Sequence, residues 1–212
     1  KNKHKIRSNI SKNKFINIVK KAKEHIKNGD IFQVVLSQRF VRKLEKKPLE
    51  IYNYLRKSNP SPFMFYFNYD DFKVLGSSPE ILVRLRKNEV TIRPIAGTRP
   101  RGKNSKEDRK YELSLLKDKK ELAEHLMLLD LGRNDVGKVS KINSVKVTEK
   151  YKVEKYSHVM HIVSNVIGKF NKKFSLFETL LSGFPAGTVS GAPKIRAMEI
   201  IDNLEKNKRK LY

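Results

Sequence analysis

Two very short turns constrain this chain more than any other feature. Tyr69-Asp70-Asp71 separates "FMFYF" from "FKVLGSS", and Lys87-Asn88 separates "ILVRLR" from "EVTIRPI". Apolar and β-branched runs joined by so few residues can only fold back as antiparallel hairpins. "SVKVTEKYKVEKYSHVMHIVSNVIGKF" supplies more strand-rich sequence. Helical spacing is interspersed without strict β-α-β alternation. Ile10, Phe15, Ile18, Val19, Ala22 and Ile26 share one helix face, started by Ser8 or Ser11 and ended by Gly29. "PLEIYNYLRKSNP", "SLFETLLSGF" and "IRAMEIIDNLEK" read as helices, and the stretch from "RGKNSKED" reads as a polar loop that becomes helical as far as about Leu129. "IFQVVLSQRFVRKL" reads as a strand. Runs of hairpins with interspersed helices predict an α+β class with antiparallel sheets, not a doubly wound parallel fold.

The chain has 212 residues, 38% of them hydrophobic, enough for one good-sized domain or two small ones. It contains no cysteine. That rules out disulfides, zinc-thiolate sites and cysteine nucleophiles within it, and suits a cytoplasmic protein, or a plastid stromal one if organellar. No 18-residue apolar run predicts a membrane span, and "KNKHKIRSNI" has no apolar core of a secretory signal. A net charge of +25 invites a polyanion partner. The 34 Lys and 13 Arg are scattered, however, and no helix-turn-helix, zinc-finger or aromatic RNA-reading motif accompanies them. A basic nucleic-acid-binding module is therefore the rival to an enzyme, with non-specific attraction rather than a specific complex expected.

Five stretches can carry chemistry. "RPIAGTRPRG" (93–102) loads stiff prolines, a bare glycine and three arginines into ten residues, either as a surface loop or as a shaped binding segment. In "KDKKELAEHLMLLDLGRND", Glu121 and Glu124 are three apart and share a helix face. They are either a solvated pair or hard oxygen ligands for Mg²⁺. In "SHVMHIV", His158 and His161 fall on opposite faces of a strand, so they do not bind one metal together. His161 sits between Met160 and Ile162 as either a core histidine or a proton-transfer group. "GFPAGTVSGAPK" (183–194) is a tight turn or an anion-binding loop before a helix, without phosphate-loop spacing. "GSSPE" presents one carboxylate, Glu80, directly after a proline.

Taken in order, "GDIFQVVLSQRF", "NPSPFMFYF", "SPE", "RPIAGTRPRG", "KELAEHLMLLDLGRND", "YSHVMHIVS" and "GTVSGAPKIRAMEII" resemble the chorismate-utilising enzyme family over nearly the whole chain from Ser8. The resemblance implies an α/β sandwich of antiparallel sheets packed between helices, with residues 1–212 forming part of a chorismate-binding catalytic domain. It implies conversion of chorismate and ammonia to anthranilate and pyruvate in tryptophan biosynthesis. Ammonia would come from glutamine through a partner amidotransferase subunit. By motif, Glu124 would be a Mg²⁺ ligand with Glu121 nearby through water, and the metal would hold the substrate carboxylate. Glu80 would be the general acid for the departing ring hydroxyl, a task that needs a protonated carboxyl. His161 would serve the later loss of pyruvate. Gly97 and Thr98 would contact the substrate, the bare glycine letting the ring approach. Pro62, Phe63 and Met64 would bind L-tryptophan as feedback inhibitor. Tyr212 would match a substrate-contacting tyrosine, although Lys210 stands where that motif has glycine. Members that form aminodeoxychorismate tend to carry a lysine nucleophile where this chain has Ala96. Isochorismate- and salicylate-forming members tend to carry a lysine base where it has Gln33. Ala96 and Gln33 thus favour the anthranilate-forming branch. The abrupt charged end, without the glycine-rich strand and second metal glutamate of the family, predicts a fragment that also lacks the N-terminal part.

Overall fold

The computed structural model describes residues 6–210. Its centre is an antiparallel sheet built on one long strand. β1 (Arg7–Ser8) precedes helix α1 (Lys12–Lys27), and two two-residue strands, β2 (Gln33–Val34) and β3 (Phe40–Val41), follow it. Helix α2 (Pro48–Ser58) starts on a proline, where the missing N–H is no loss. Strands β4 (Phe63–Asn68) and β5 (Lys73–Ser78) form the first predicted hairpin, and β6 (Arg84–Arg86) and β7 (Glu89–Ile92) the second. Lys87 and Asn88 turn with φ of 50° and 61°, the left-handed pair that a two-residue hairpin turn requires. Next come β8 (Ile95–Pro100), α3 (Ser105–Lys117), α4 (Lys119–Gly137), β9 (Lys146–Lys155) and β10 (Val159–Lys169). Helix α5 (Leu176–Gly183), a single 3-10 turn at Gly187–Val189, β11 (Gly191–Ala192) and α6 (Lys194–Leu204) complete the chain.

β10 is the organising strand. One edge pairs first with β8 (Val159–Val163 against Pro100–Ile95) and then with β7 (Val166–Lys169 against Ile92–Glu89). The other edge pairs with β9. Along β10, Met160, Ile162, Val163 and Val166 are fully buried. Helix α4 lies across this sheet. Leu129 and Val136 of α4 pack with Val90, Ile92 and Val166, while Leu115 of α3 packs with Met160 and Ile162. Gly132 lets α4 come close, because a Cβ there would sit 3.2 Å from Pro94. The fully buried aliphatic side chains here, at roughly 1.5–3 kcal/mol each, are the main favourable term in this part of the molecule. The antiparallel α+β class is as expected. Among the described residues no helix is long and apolar enough to cross a membrane.

Two elements differ from their sequence reading. "IFQVVLSQRFVRKL" is not a continuous strand. Only Gln33–Val34 and Phe40–Val41 pair, each with a two-residue partner, and the segment between them is irregular. The predicted helix does not end near Leu129. It is two helices, broken at Asp118, and the second runs on to Gly137. Asp118 makes the break: its carboxylate accepts the backbone N–H groups of Lys120 and Glu121 at 3.0 and 3.3 Å, capping α4.

His125 of α4 is the buried structural histidine. It is 0% exposed, its Nε2 lies 2.6 Å from Ser164 Oγ of β10, and its ring tilts against Tyr151. Burial lowers its pKa from 6.5 to about 4. A depressed histidine is neutral when folded and protonates first in the unfolded chain. Between about pH 6.5 and about 4 the unfolded state therefore binds more protons, and stability falls as the pH is lowered through that window. The upper limit is roughly 3 kcal/mol. The expected outcome is that His125→Met loses less stability than wild type between pH 7 and 4, read by urea unfolding at each pH. Parallel curves would remove His125 from the acid sensitivity.

Candidate active site

The pairing of β8 with β10 is not regular. His161 lies opposite Thr98, but Ile162 lies opposite Ala96, so Gly97 is an extra residue on β8. Its φ is +75°. A glycine in the left-handed region at a strand bulge is the conformation other L-residues avoid. A Cβ on Gly97 would lie 3.2 Å from Ile162 Cδ1, 3.2 Å from Leu115 Cδ1 and 3.3 Å from Glu121 Oε2. The glycine of "RPIAGTRPRG" is thus required by the bulge and by the packed side beneath it, in addition to any close approach by a ligand. The bulge turns the Gly97 carbonyl toward His161, whose Nδ1 sits 3.0 Å from it and 3.1 Å from Thr98 Oγ1. A carbonyl only accepts, so Nδ1 carries a proton, and in the neutral ring Nε2 is the nitrogen with the lone pair.

An open cleft of about 300 Å³ lies above the bulge. Its walls are Gln33, Pro79, Glu80, Ile95, Ala96, Gly97, Thr98, Glu124, Leu128, His161 and Thr188. Seven sequence-predicted positions therefore converge from five separate parts of the chain: Gln33, Glu80, Ala96, Gly97, Thr98, Glu124 and His161. A larger open groove of about 830 Å³ runs beside it along α4, sharing Gln33 and Glu124, but its other walls are mainly Phe32, Ala123, Leu126, Met127, Leu131, Ala192 and Pro193. The smaller cleft brings Glu80 and His161 together with Glu124 and is the candidate site.

Glu80 follows β5. Ser78 grips its backbone, the hydroxyl accepting the Glu80 N–H at 3.3 Å and donating to the Glu80 carbonyl at 3.1 Å. Burial pushes the Glu80 carboxyl up to about 7, while the Thr188 hydroxyl, 3.5 Å from Oε2, pulls the other way. Across the cleft, Gln33 Nε2 donates to Glu124 Oε1 at 3.3 Å. That contact fixes the amide's orientation, since only the nitrogen can donate to a carboxylate. Gln33 Oε1 is left buried without a partner, an acceptor awaiting a donor.

The other predicted positions are placed differently. Glu121 does not line the cleft. Arg99 holds it, donating to Glu121 Oε1 at 3.3 Å and to Asp118 Oδ2 at 2.7 Å. His158 is exposed beside Ser157 and outside β10. Pro62 lies just before β4, and Phe63 and Met64 begin it, Phe63 opposite Ser78 and Met64 opposite Ser77. Tyr212 lies outside the described residues. Thr188 is the site residue that sequence reasoning did not single out. Its signal was the loop "GFPAGTVSGAPK", whose apex it occupies.

Replacing Gly97 tests the geometry. Gly97→Ala forces a left-handed L-residue and crowds Leu115 and Ile162, which should destabilise by roughly 1–2 kcal/mol. A shift of the denaturation midpoint checks it, and an unchanged midpoint would show that the bulge is not required.

The comparisons with known proteins agree with one another. A family model described as chorismate binding enzyme matches residues 1–212. Anthranilate synthase component 1 from Cereibacter sphaeroides is 61% identical over 207 residues, covering 98% of this chain and 41% of the relative. Anthranilate synthase component I from Streptococcus pneumoniae superposes with a TM-score of 0.88 at 42% identity, over 97% of this chain and 45% of that one. The menaquinone-specific isochorismate synthase MenF from Escherichia coli, at 21% identity and a TM-score of 0.85 over 97% of this chain and 48% of that one, shows the fold alone. The chain spans about two fifths of the length of the curated relatives it matches. With the whole of its described cleft built from the matched segments, the chain belongs to the chorismate binding enzyme family.

Proposed function

We propose that this chain carries part of the catalytic site of an anthranilate synthase component I. The reaction takes chorismate and ammonia to anthranilate, pyruvate and water. The observation that carries the reading is the pair of unlike groups facing one cleft: a carboxyl that burial keeps protonated near neutrality, and an imidazole whose Nε2 is free to accept. Environments that separate an acid from a base assign their roles. Glu80 gives its proton to the ring hydroxyl, which leaves as water while ammonia bonds to the ring. The aminated ring must then lose a proton and pyruvate to become aromatic. His161 takes that proton at Nε2, its ring held by the Gly97 carbonyl.

Gln33 and Ala96 support ammonia as the nucleophile. Neither is a base able to deprotonate water, and the side chain of Ala96 offers no amine. The unpartnered Gln33 Oε1 is an acceptor suited to an N–H donor. Isochorismate- or aminodeoxychorismate-type chemistry has no such observation in its favour. Mg²⁺ is part of the proposal. Among the described residues no group of three or more acidic, cysteine or histidine side chains could hold a metal. Glu124 alone fits a cation that keeps several waters and takes further oxygens from its substrate. When bound, Mg²⁺ supplies positive charge for the substrate carboxylate. A glutamine amidotransferase subunit supplies ammonia in this reading, and the protein works in the cytoplasm. L-Tryptophan at Pro62, Phe63 and Met64 would act through β4, because Phe63 pairs with Ser78 and Ser78 holds the backbone of Glu80.

The pH profile tests the acid. An acid must be protonated to act, so kcat of the intact enzyme should fall as the pH rises through about 7. Glu80→Gln should lower kcat by about 10²-fold or more and abolish that limb. A wild-type profile flat from pH 6 to 9, or full activity in Glu80→Gln, would take the acid role from Glu80.

A further inference from the structure

We infer that Lys194 is a positioning residue for Glu80: its buried ammonium ties together the two ends of the loop 184–193 and so holds Thr188 against the Glu80 carboxylate. The inference rests on the reading of Glu80 as the acid. The loop leaves α5 at Gly183 and re-enters helix at Lys194. Lys194 Nζ donates to the Gly183 carbonyl at 3.1 Å and to Asp135 Oδ2 at 2.7 Å. Lys194 therefore closes the loop at its base and fastens that base to α4; Lys138, more exposed, supports the same carboxylate, donating to Asp135 Oδ1 at 2.9 Å and to the Ser182 carbonyl at 3.5 Å. Both side chains are inside the protein, Lys194 at 8% and Asp135 at 6% exposure. Thr188 stands at the apex, with its hydroxyl on Glu80.

The far half of the loop has other anchors. Val35 N–H donates to the Ser190 carbonyl at 2.8 Å, Phe32 N–H to the Ala192 carbonyl at 2.8 Å, and Arg209 to the Val189 carbonyl at 2.6 Å. The near half, from Phe184 to Gly187, has short-range contacts besides the closure at its base: Phe184 N–H donates to the Leu181 carbonyl at 3.2 Å, the Ala186 carbonyl accepts the Val189 N–H at 3.1 Å and the Ser190 hydroxyl at 2.8 Å, and the Gly187 carbonyl accepts the Ser190 N–H at 3.3 Å. Stability alone does not call for this ion pair. A buried pair replaced on both sides by apolar groups is often as stable as before. What an apolar pair cannot do is donate to the Gly183 carbonyl, so the loop base would be free to shift. A displacement of about 1 Å at a reacting group can lower the rate by roughly 10²-fold.

The test compares Lys194→Met/Asp135→Leu with wild type in the intact enzyme, each with and without Thr188→Val. The double change should unfold within a few degrees of wild type. It should lower kcat about 10- to 100-fold while KM for chorismate moves less than about threefold. Thr188→Val added to it should cause little further loss, because the two act through one contact. Hydrogen exchange of residues 184–193 should speed up. If the double variant does not fold, Lys194→Arg, which keeps a cation on Asp135 but changes the reach to Gly183, should give the same kcat loss and the same non-additivity. Retained kcat, multiplicative losses with Thr188→Val, or unchanged loop exchange would each overturn the inference. If the wild type itself forms no anthranilate, the proposed function fails, and loop exchange still decides the role of Lys194.

Discussion

The slip of one residue between β8 and β10 is the feature on which the cleft depends. A regular ladder would keep the Gly97 carbonyl in the sheet and away from His161 Nδ1. The bulge takes Gly97 into a left-handed conformation, points its carbonyl at His161 and leaves Thr98 beside the ring. Its underside is filled by Leu115 and Ile162, both fully buried. The local conformation is held by the packed core, and the core lies directly beneath the site. β10 links them, since it pairs with three strands and carries both the buried residues and His161.

Electrostatics sorts the three carboxylates that the sequence places near the site. Glu121 is neutralised by Arg99, which also engages Asp118 and the Thr98 carbonyl, so it acts as a brace between α4 and β8. Glu124 faces the cleft and shares one contact with Gln33. Glu80 has no cation beside it among its described hydrogen bonds and ion pairs, and burial is the largest influence on it. The same functional group thus becomes a brace, a ligand candidate and an acid candidate through its neighbours alone. A chain of net charge +25 does not contradict this, because the basic side chains are spread over its length, and near the cleft Arg99 and Lys194 are engaged by carboxylates.

Much of this was legible in the sequence. Short turns with alternating apolar residues gave both hairpins, and helical spacing gave α1, α2, α5 and α6. These are local signals, complete within a dozen residues. The failures are long-range. The stretch from Ile31 to Leu44 has the composition of a strand, but only four of its residues find a partner edge. Helix α4 runs past Leu129 because Gly132 does not end it but is where the helix meets Pro94. Glu121 and Glu124 look equivalent at i, i+3, yet Arg99 separates their roles from a different strand. His125 and His161 could not be told apart by apolar neighbours, because strand alternation buries Met160 and Ile162 while turning His161 to the other side. Thr188 escaped notice because its partner, Glu80, is 108 residues away.

The central claim is that one cleft above the Gly97 bulge receives the substrate. A crystal structure of the intact enzyme with Mg²⁺ and a non-reactive chorismate analogue tests it most directly. The account predicts the analogue's ring over Gly97 and Thr98, its hydroxyl facing Glu80, and Nε2 of His161 on the ring side. A ligand seated instead in the apolar groove by Phe32 and Met127, with Glu80 and His161 untouched, would contradict it.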